Sequence, residues 1–274
     1  MKWGILTCTG GALIGAFLVL SVAGHAQDSQ QGLQVPAQNP VQKIHQPASL
    51  TDEEWGDLYM TRKSYDAAID RYSLAIKSQE NSHQDKVVIA HLWNKIGICY
   101  QQKQDYGNAR KAYKQAIRLQ HDFARPWNNL GTSYYLNHRP KKSIKFYRHA
   151  IKLSPMIASY HLNLGTAYFA RKKYKAATQE YRTAIQLDPD ILTRNSREGT
   201  AVETRHTDAK FFFYLAKIYA STGNPGEAVR YLRRAMEEGF TNRKRILEDP
   251  DLQKINKDPA FVALMNNPPV AIKD

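Results

Sequence analysis

A period of 34 residues constrains this chain more than any single motif does. The phrase WNNLGTSYY at 127–135 returns as HLNLGTAYF at 161–169, and Gly97, Gly131 and Gly165 stand 34 residues apart. Such a period means a small supersecondary unit that cannot bury its apolar face alone and is stacked on copies of itself. Five copies align when positions are numbered within the unit. Position 7 is Trp55, Ile96, Leu130, Leu164 and Leu215; position 8 is Gly56, Gly97, Gly131, Gly165 and Ala216; position 11 is Tyr59, Tyr100, Tyr134, Tyr168 and Tyr219.

The second half of each unit is equally regular. Position 20 is Ala68, Ala109, Ser143, Ala177 and Ala228, position 24 is Tyr72, Tyr113, Tyr147, Tyr181 and Leu232, and position 27 is alanine from Ala75 to Ala235. Spacings of three and four put these residues on one helical face, where small side chains let a neighbouring helix approach closely. The residues at these positions resemble the tetratricopeptide repeat (TPR), a pair of antiparallel helices with fixed apolar and small positions. The resemblance implies an all-α, right-handed superhelical solenoid of about five helix-turn-helix units, at 49–82, 90–123, 124–157, 158–191 and 209–242. The fifth unit departs most, with Ala216 for glycine, Pro225 at position 17 and Leu232 for tyrosine.

Two spacings break the period. Gly56 to Gly97 is 41 residues, seven too long, which matches the polar SQENSHQDK at 78–86; Gly165 to Ala216 is 51, seventeen too long. The second excess matches ILTRNSREGTAVETRHT at 191–207, so an inserted loop is expected there, either decorating a binding face or simply tolerated at the surface. Beyond Phe240, the segment 241–274 carries Ile246, Leu247, Leu252, Ile255, Phe261, Val262, Leu264 and Met265, enough to cover the apolar face of the last unit as a C-terminal cap. The acidic phrases LDPDI at 187–191 and EDPDL at 248–252 could suggest a metal site, but their places mark boundaries. Asp249 and Asp258 are expected to cap helices begun by Pro250 and Pro259.

The N-terminal region follows other rules. Residues 1–26 hold one charge, Lys2, then a Gly/Ala/Leu/Val run ending in AGHAQ, the pattern of an export signal cleaved after Ala26. An uncleaved anchor is the competing reading, because Trp3 to Gly24 is uncharged and about long enough to span a bilayer. A Gln/Pro-rich tether covers 27–49. Loss of the signal would leave Cys99 as the one cysteine, excluding an intramolecular disulfide, and 38 basic against 25 acidic side chains, a net +13. That excess favours acidic or anionic partners, including peripheral association with a membrane; with export, no nucleic acid is expected. The expected location is the periplasm or the exterior of a bacterial cell.

The catalytic vocabulary is missing. No phosphate-binding glycine loop, HExxH, CxxC pair or nucleophile elbow occurs, and the nine histidines show no metal-ligand spacing. No cofactor, metal or enzymatic activity is expected. Twelve of the sixteen tyrosines fall at positions 11, 17 and 24 and are assigned to packing, leaving Tyr135, Tyr160, Tyr214 and Tyr231 for other roles. Lys111, Lys114 and Arg118 recur as Lys145, Arg148 and Lys152, a basic outer stripe opposite the packing alanines. Arg139, Lys141 and Lys142 lie in one intra-repeat turn, and Arg171, Lys172, Lys173 and Lys175 in the next.

Binding residues are expected on the first helices, which line the groove in TPR proteins. Asn129 and Asn163 share position 6, Thr132 and Thr166 share position 9, and a run of amides can hold a peptide backbone. This resembles the asparagine ladder in the TPR domain of O-linked N-acetylglucosamine transferases, with only two rungs because position 6 elsewhere is Glu54, Lys95 and Tyr214. The carboxylate clamp of chaperone-binding TPR domains is not matched, since Asp57 and Ser159 stand where its asparagine and lysine belong. The implied groove comprises Arg125, Asn128, Asn129, Thr132, Tyr135, Asn163, Thr166, Phe169, Lys210, Tyr214 and Lys217. The implied partner is a protein or peptide segment, with acidic character favoured by the cations.

Overall fold

The computed structural model describes residues 50–81, 85–192 and 208–271. The expected export signal, the expected tether up to residue 49 and nearly all of the expected inserted loop lie outside these residues. Every regular element among the described residues is helical. The five pairs are α1 (Asp52–Thr61) with α2 (Tyr65–Asn81), α3 (Lys86–Gln102) with α4 (Tyr106–Leu119), α5 (Ala124–Leu136) with α6 (Pro140–Leu153), α7 (Ala158–Ala170) with α8 (Tyr174–Leu187), and α9 (Ala209–Ser221) with α10 (Pro225–Glu237). Each helix packs chiefly on its neighbours in the chain, the arrangement of a stack of helix hairpins.

The 34-residue period is held by one contact repeated along the stack. In the first four units the ring of the position-24 tyrosine lies directly against the position-8 glycine of the same hairpin. A Cβ added to Gly131 would stand 2.8 Å from the Tyr147 ring, and one added to Gly165 2.7 Å from that of Tyr181. Tyr72, Tyr113, Tyr147 and Tyr181 are accordingly buried, as are the alanines at positions 20 and 27. The fifth unit changes both partners at once. Leu232 has no ring to press on the facing helix, and Ala216 has the methyl group for which there is then room; both are fully buried.

The seven extra residues are taken up by longer helices on either side of 82–84, which lie outside the described residues. α2 has 17 residues, three more than α4, and α3 has 17, four more than α5, which together account for the seven. Turns inside the hairpins obey a rule the sequence reading missed: position 15 always has positive φ. It is Lys63 (59°), Gln104 (61°), His138 (54°), Lys172 (58°) and, in the fifth unit alone, a glycine, Gly223 (77°). The left-handed region costs a side chain about 1–2 kcal/mol, so four of the five turns are made at some expense to reverse the chain tightly.

The cap covers the fifth unit with α11 (Arg243–Glu248), a 3₁₀ turn (Leu252–Ile255) and α12 (Pro259–Asn266). Ile246, Leu252, Ile255, Phe261, Leu264 and Met265 are buried in one cluster with α9 and α10. Leu247 and Val262, expected in this set, are exposed. Asp258 caps α12 as expected, accepting from the Ala260 and Phe261 N–H groups at 2.9 and 3.1 Å, with Pro259 first in the helix. Asp249 does not begin a helix. It ends α11, accepts from the Asp251 N–H at 3.1 Å, and aims its carboxylate at Lys217 on α9, because the chain turns there before the 3₁₀ segment.

Candidate functional site: the first-helix face

Successive first helices meet in one register, position 5 of a unit against position 6 of the next. At the first joint the Lys95 ammonium donates to Glu53 at 2.8 Å and also to Asp57. At the second, Asn129 Nδ2 donates to Asn94 Oδ1 at 3.0 Å, and at the third Asn163 Nδ2 donates to Asn128 Oδ1 at 2.9 Å. A weaker bond of 3.3 Å from Asn128 Nδ2 to Asn129 Oδ1 links the four amides into one chain. At the fourth joint the equivalent residues are Leu162 and Tyr214. Leu162 is buried in the C-terminal cluster, against which Tyr214 packs while stacking on Tyr174 at 5.1 Å.

This register changes the role of most residues expected to face a peptide. Asn128, Asn129 and Asn163 are buried, and their amides are spent on one another. A buried amide group left without a partner costs about 1–3 kcal/mol, and each joint pairs one donor with one acceptor; Asn163 Oδ1 stays buried without a hydrogen-bond partner. Thr132 and Thr166 are buried too, accepting from the Tyr147 and Tyr181 hydroxyls at 3.2 and 3.3 Å. Asp57 does the same for Tyr72 at 2.7 Å; in the second unit position 9 is Ile98, which cannot accept, and Tyr113 turns to Gln101 at 3.3 Å. Phe169 is buried edge-on to Tyr174 and Phe211. Tyr160 and Tyr231, left free by the sequence pattern, are core residues.

What stays accessible is a smaller set. Arg125 and Lys210, both at position 2, are exposed with His91, which shares their register. The His91 ring stacks on Phe123 at 4.3 Å, and the partial desolvation of one side, then the nearby Arg125 charge, holds the imidazole below its usual range. Tyr135 and Tyr214 are half-buried. Lys217 is engaged, its ammonium 2.8 Å from Asp249 and 3.7 Å from Asp251, so it ties the cap to α9. On the opposite side, Lys111, Lys114, Arg118, Lys145, Arg148 and Lys152 are all exposed, and none forms an ion pair among the described residues.

The reactive side chains are quiet. Cys99 is fully buried beside the Met60 sulfur, and burial pushes its thiol up to about 12, so little thiolate exists at neutral pH. His161 is fixed between Glu180 at 2.7 Å and the Pro155 carbonyl at 2.9 Å. His149 packs on Trp127 and His121; burial first, then His121, Lys152 and Lys145, hold it below the ordinary imidazole range. A depressed imidazole makes the unfolded chain the stronger proton acceptor, so this stability is complete above the ordinary imidazole pKa and declines as pH falls through it. Among the described residues no three His, Cys, Asp or Glu side chains are grouped to hold a metal ion.

One signal could have exposed the joint register earlier. Asn94 to Asn129 and Asn128 to Asn163 are each 35 residues apart, one more than the period. That offset is what a contact between position 5 and position 6 of the next unit requires, and it involves the asparagines at position 5 as much as those at position 6.

Comparison with known proteins bears on the repeat itself. A family model described as "TPR repeat" matches residues 98–137, and two described as "Tetratricopeptide repeat" match 124–156 and 158–191, and 214–244. No curated protein matches the chain. Among solved structures, the crystal structure of MamA is similar at 21% identity and a TM-score of 0.46, covering 67% of this chain and 93% of its own. MamA from Desulfovibrio magneticus gives 15%, 0.45, 67% and 90%. YrrB, described as a TPR protein with an unusual peptide-binding site, gives 16%, 0.44, 70% and 86%. With the matched repeats falling on helix hairpins that share one internal contact and one joint register, the chain is a tetratricopeptide-repeat protein.

Proposed function

We propose that the chain is a non-catalytic protein-interaction module whose first-helix face holds an extended or helical segment of a partner. The observation that carries this is the exposure of Arg125, Lys210 and His91 at one register position of the first helices, which also carry the half-buried rings of Tyr135 and Tyr214 and whose amides are largely engaged at the joints. A rigid face of this kind binds through its rim charges and ring pockets, not through a free amide ladder, and its cations select a segment carrying Asp or Glu. The location inferred from the sequence is the cell envelope, on the far side of an export signal or beside an uncleaved anchor.

Peptide-library selection followed by titration calorimetry tests the reading. Selected peptides are expected to carry surplus Asp and Glu, and Arg125→Glu combined with Lys210→Glu should weaken their binding by about tenfold or more. Peptides without that surplus, or unchanged affinity in the double variant, would reject the proposed face.

A further inference from the structure

The charge of this chain is concentrated to an unusual degree. Residues 103–175 hold sixteen Lys and Arg against only Asp105 and Asp122, a net of +14. The remaining sequence holds 23 basic and 23 acidic side chains, so this stretch carries the whole formal charge. Asp105 is committed to the start of α4, accepting from the Asn108 N–H at 3.0 Å. The six cations of the outer stripe, at positions 22, 25 and 29 of α4 and α6, are exposed, and so are Arg139, Lys141 and Lys142 and Arg171, Lys172, Lys173 and Lys175.

We propose that this outer face of α4 and α6 docks peripherally on an anionic phospholipid bilayer, leaving the first-helix face directed away for a protein partner. Charge complementarity is the first argument: each Lys or Arg held near an anionic leaflet strengthens association about fivefold. The second is the composition of the face. Its stripe has four lysines and two arginines, point charges more than bidentate forks. The aromatic rings of the same helices point inward, since Tyr113 and Tyr147 are buried and Phe146 stacks on Tyr134 at 5.2 Å. A single-stranded nucleic acid would need exposed rings to stack its bases.

Residue-resolved lysine acetylation of the full chain separates this face from whatever the N-terminal stretch contributes. With vesicles of phosphatidylcholine and phosphatidylglycerol, Lys111, Lys114, Lys145 and Lys152 should be acetylated several-fold more slowly than without vesicles, while Lys210 and Lys244, which are exposed elsewhere, keep their rates. Pure phosphatidylcholine vesicles should give no such protection, and raised salt should abolish it. Reversal of Lys145, Arg148 and Lys152 to glutamate should remove protection at Lys111 and Lys114. Reversal of Arg243, Lys254 and Lys257, an equal change of charge placed in the C-terminal cap, should not. Equal loss in both variants, protection on neutral vesicles, or protection at Lys210 and Lys244 instead would overturn the proposal. So would displacement of the protein from anionic vesicles by single-stranded DNA at equal phosphate concentration. Circular dichroism melts of the two variants establish that both are folded.

Discussion

The central joints and the C-terminal unit solve the same packing problem in opposite ways. Between the second, third and fourth units the first helices are linked by buried amides, and α5 to α8 begin without a side-chain cap. The last unit instead places Phe211, Phe212 and Phe213 in succession on α9, stacks Phe213 on Phe240 at 4.2 Å, and caps α9, α10, α11 and α12 with Asp208, Asn224, Asn242 and Asp258. A central unit is stabilised from both sides by its neighbours, and its helix starts can rely on that. The last unit is followed by the cap instead of a repeat, so it carries helix caps of its own and an aromatic core shared with the cap and the fourth unit.

Four substitutions would break or sharpen this contrast. The largest effect is expected at the C-terminal unit: Phe213→Ala should cost about 3–5 kcal/mol, seen in thermal or urea unfolding, and should loosen the cap before the central hairpins in hydrogen exchange. Uniform loss of protection along the stack would mean that the C-terminal core does not stand apart from the central hairpins. At a central joint, Asn163→Leu strands the Asn128 carbonyl and should cost about 1–3 kcal/mol. Adding Asn128→Leu should recover most of that loss, as replacing both members of a hydrogen-bonded pair with apolar groups of similar shape generally does. A double variant as unstable as the sum of the singles would show that the amides do not act as a pair.

The glycine contact gives a smaller effect with a built-in control. Gly131→Ala forces a methyl group into the Tyr147 ring at a cost of about 1–3 kcal/mol, partly offset by about 1 kcal/mol of helix propensity. Combining it with Tyr147→Leu reproduces the Ala216/Leu232 pair of the fifth unit and should relieve the clash; calorimetric melting of the three variants decides. The smallest effect belongs to the first joint, where the Lys95 side chain is 29% exposed. Lys95→Met should change stability by about 1 kcal/mol or less, and the difference from the unmodified protein should shrink with added salt. A loss as large as that of Asn163→Leu would erase the distinction between the joints.

Much of this was legible before any coordinates. The 34-residue period, the position-8 glycines, the position-24 tyrosines and the alanines at positions 20 and 27 predict the hairpins, and the structure places every one of these small residues at a close contact. The cap was legible because six of its eight apolar residues are spaced to cover one face. The candidate site was legible only in part. Arg125 and Lys210 stand exposed where the pattern put them, whereas Asn129, Asn163, Thr132 and Thr166 are internal. A polar residue on a first helix has the same sequence signature whether it faces a ligand or the next repeat, and the two differ only by the offset of one position between units.

The sequence by itself determined the unit, its number of copies and the places where the count slips, because small and aromatic residues at spacings of three and four admit one helical packing and repeat it. It also determined where the charge lies. Only the tertiary structure decided which polar groups are spent inside and which are left for a partner. Burial depends on what the neighbouring unit brings to the same point, and residues 35 apart in the chain, such as Asn128 and Asn163, meet there through the stacking of whole hairpins and through nothing local to either.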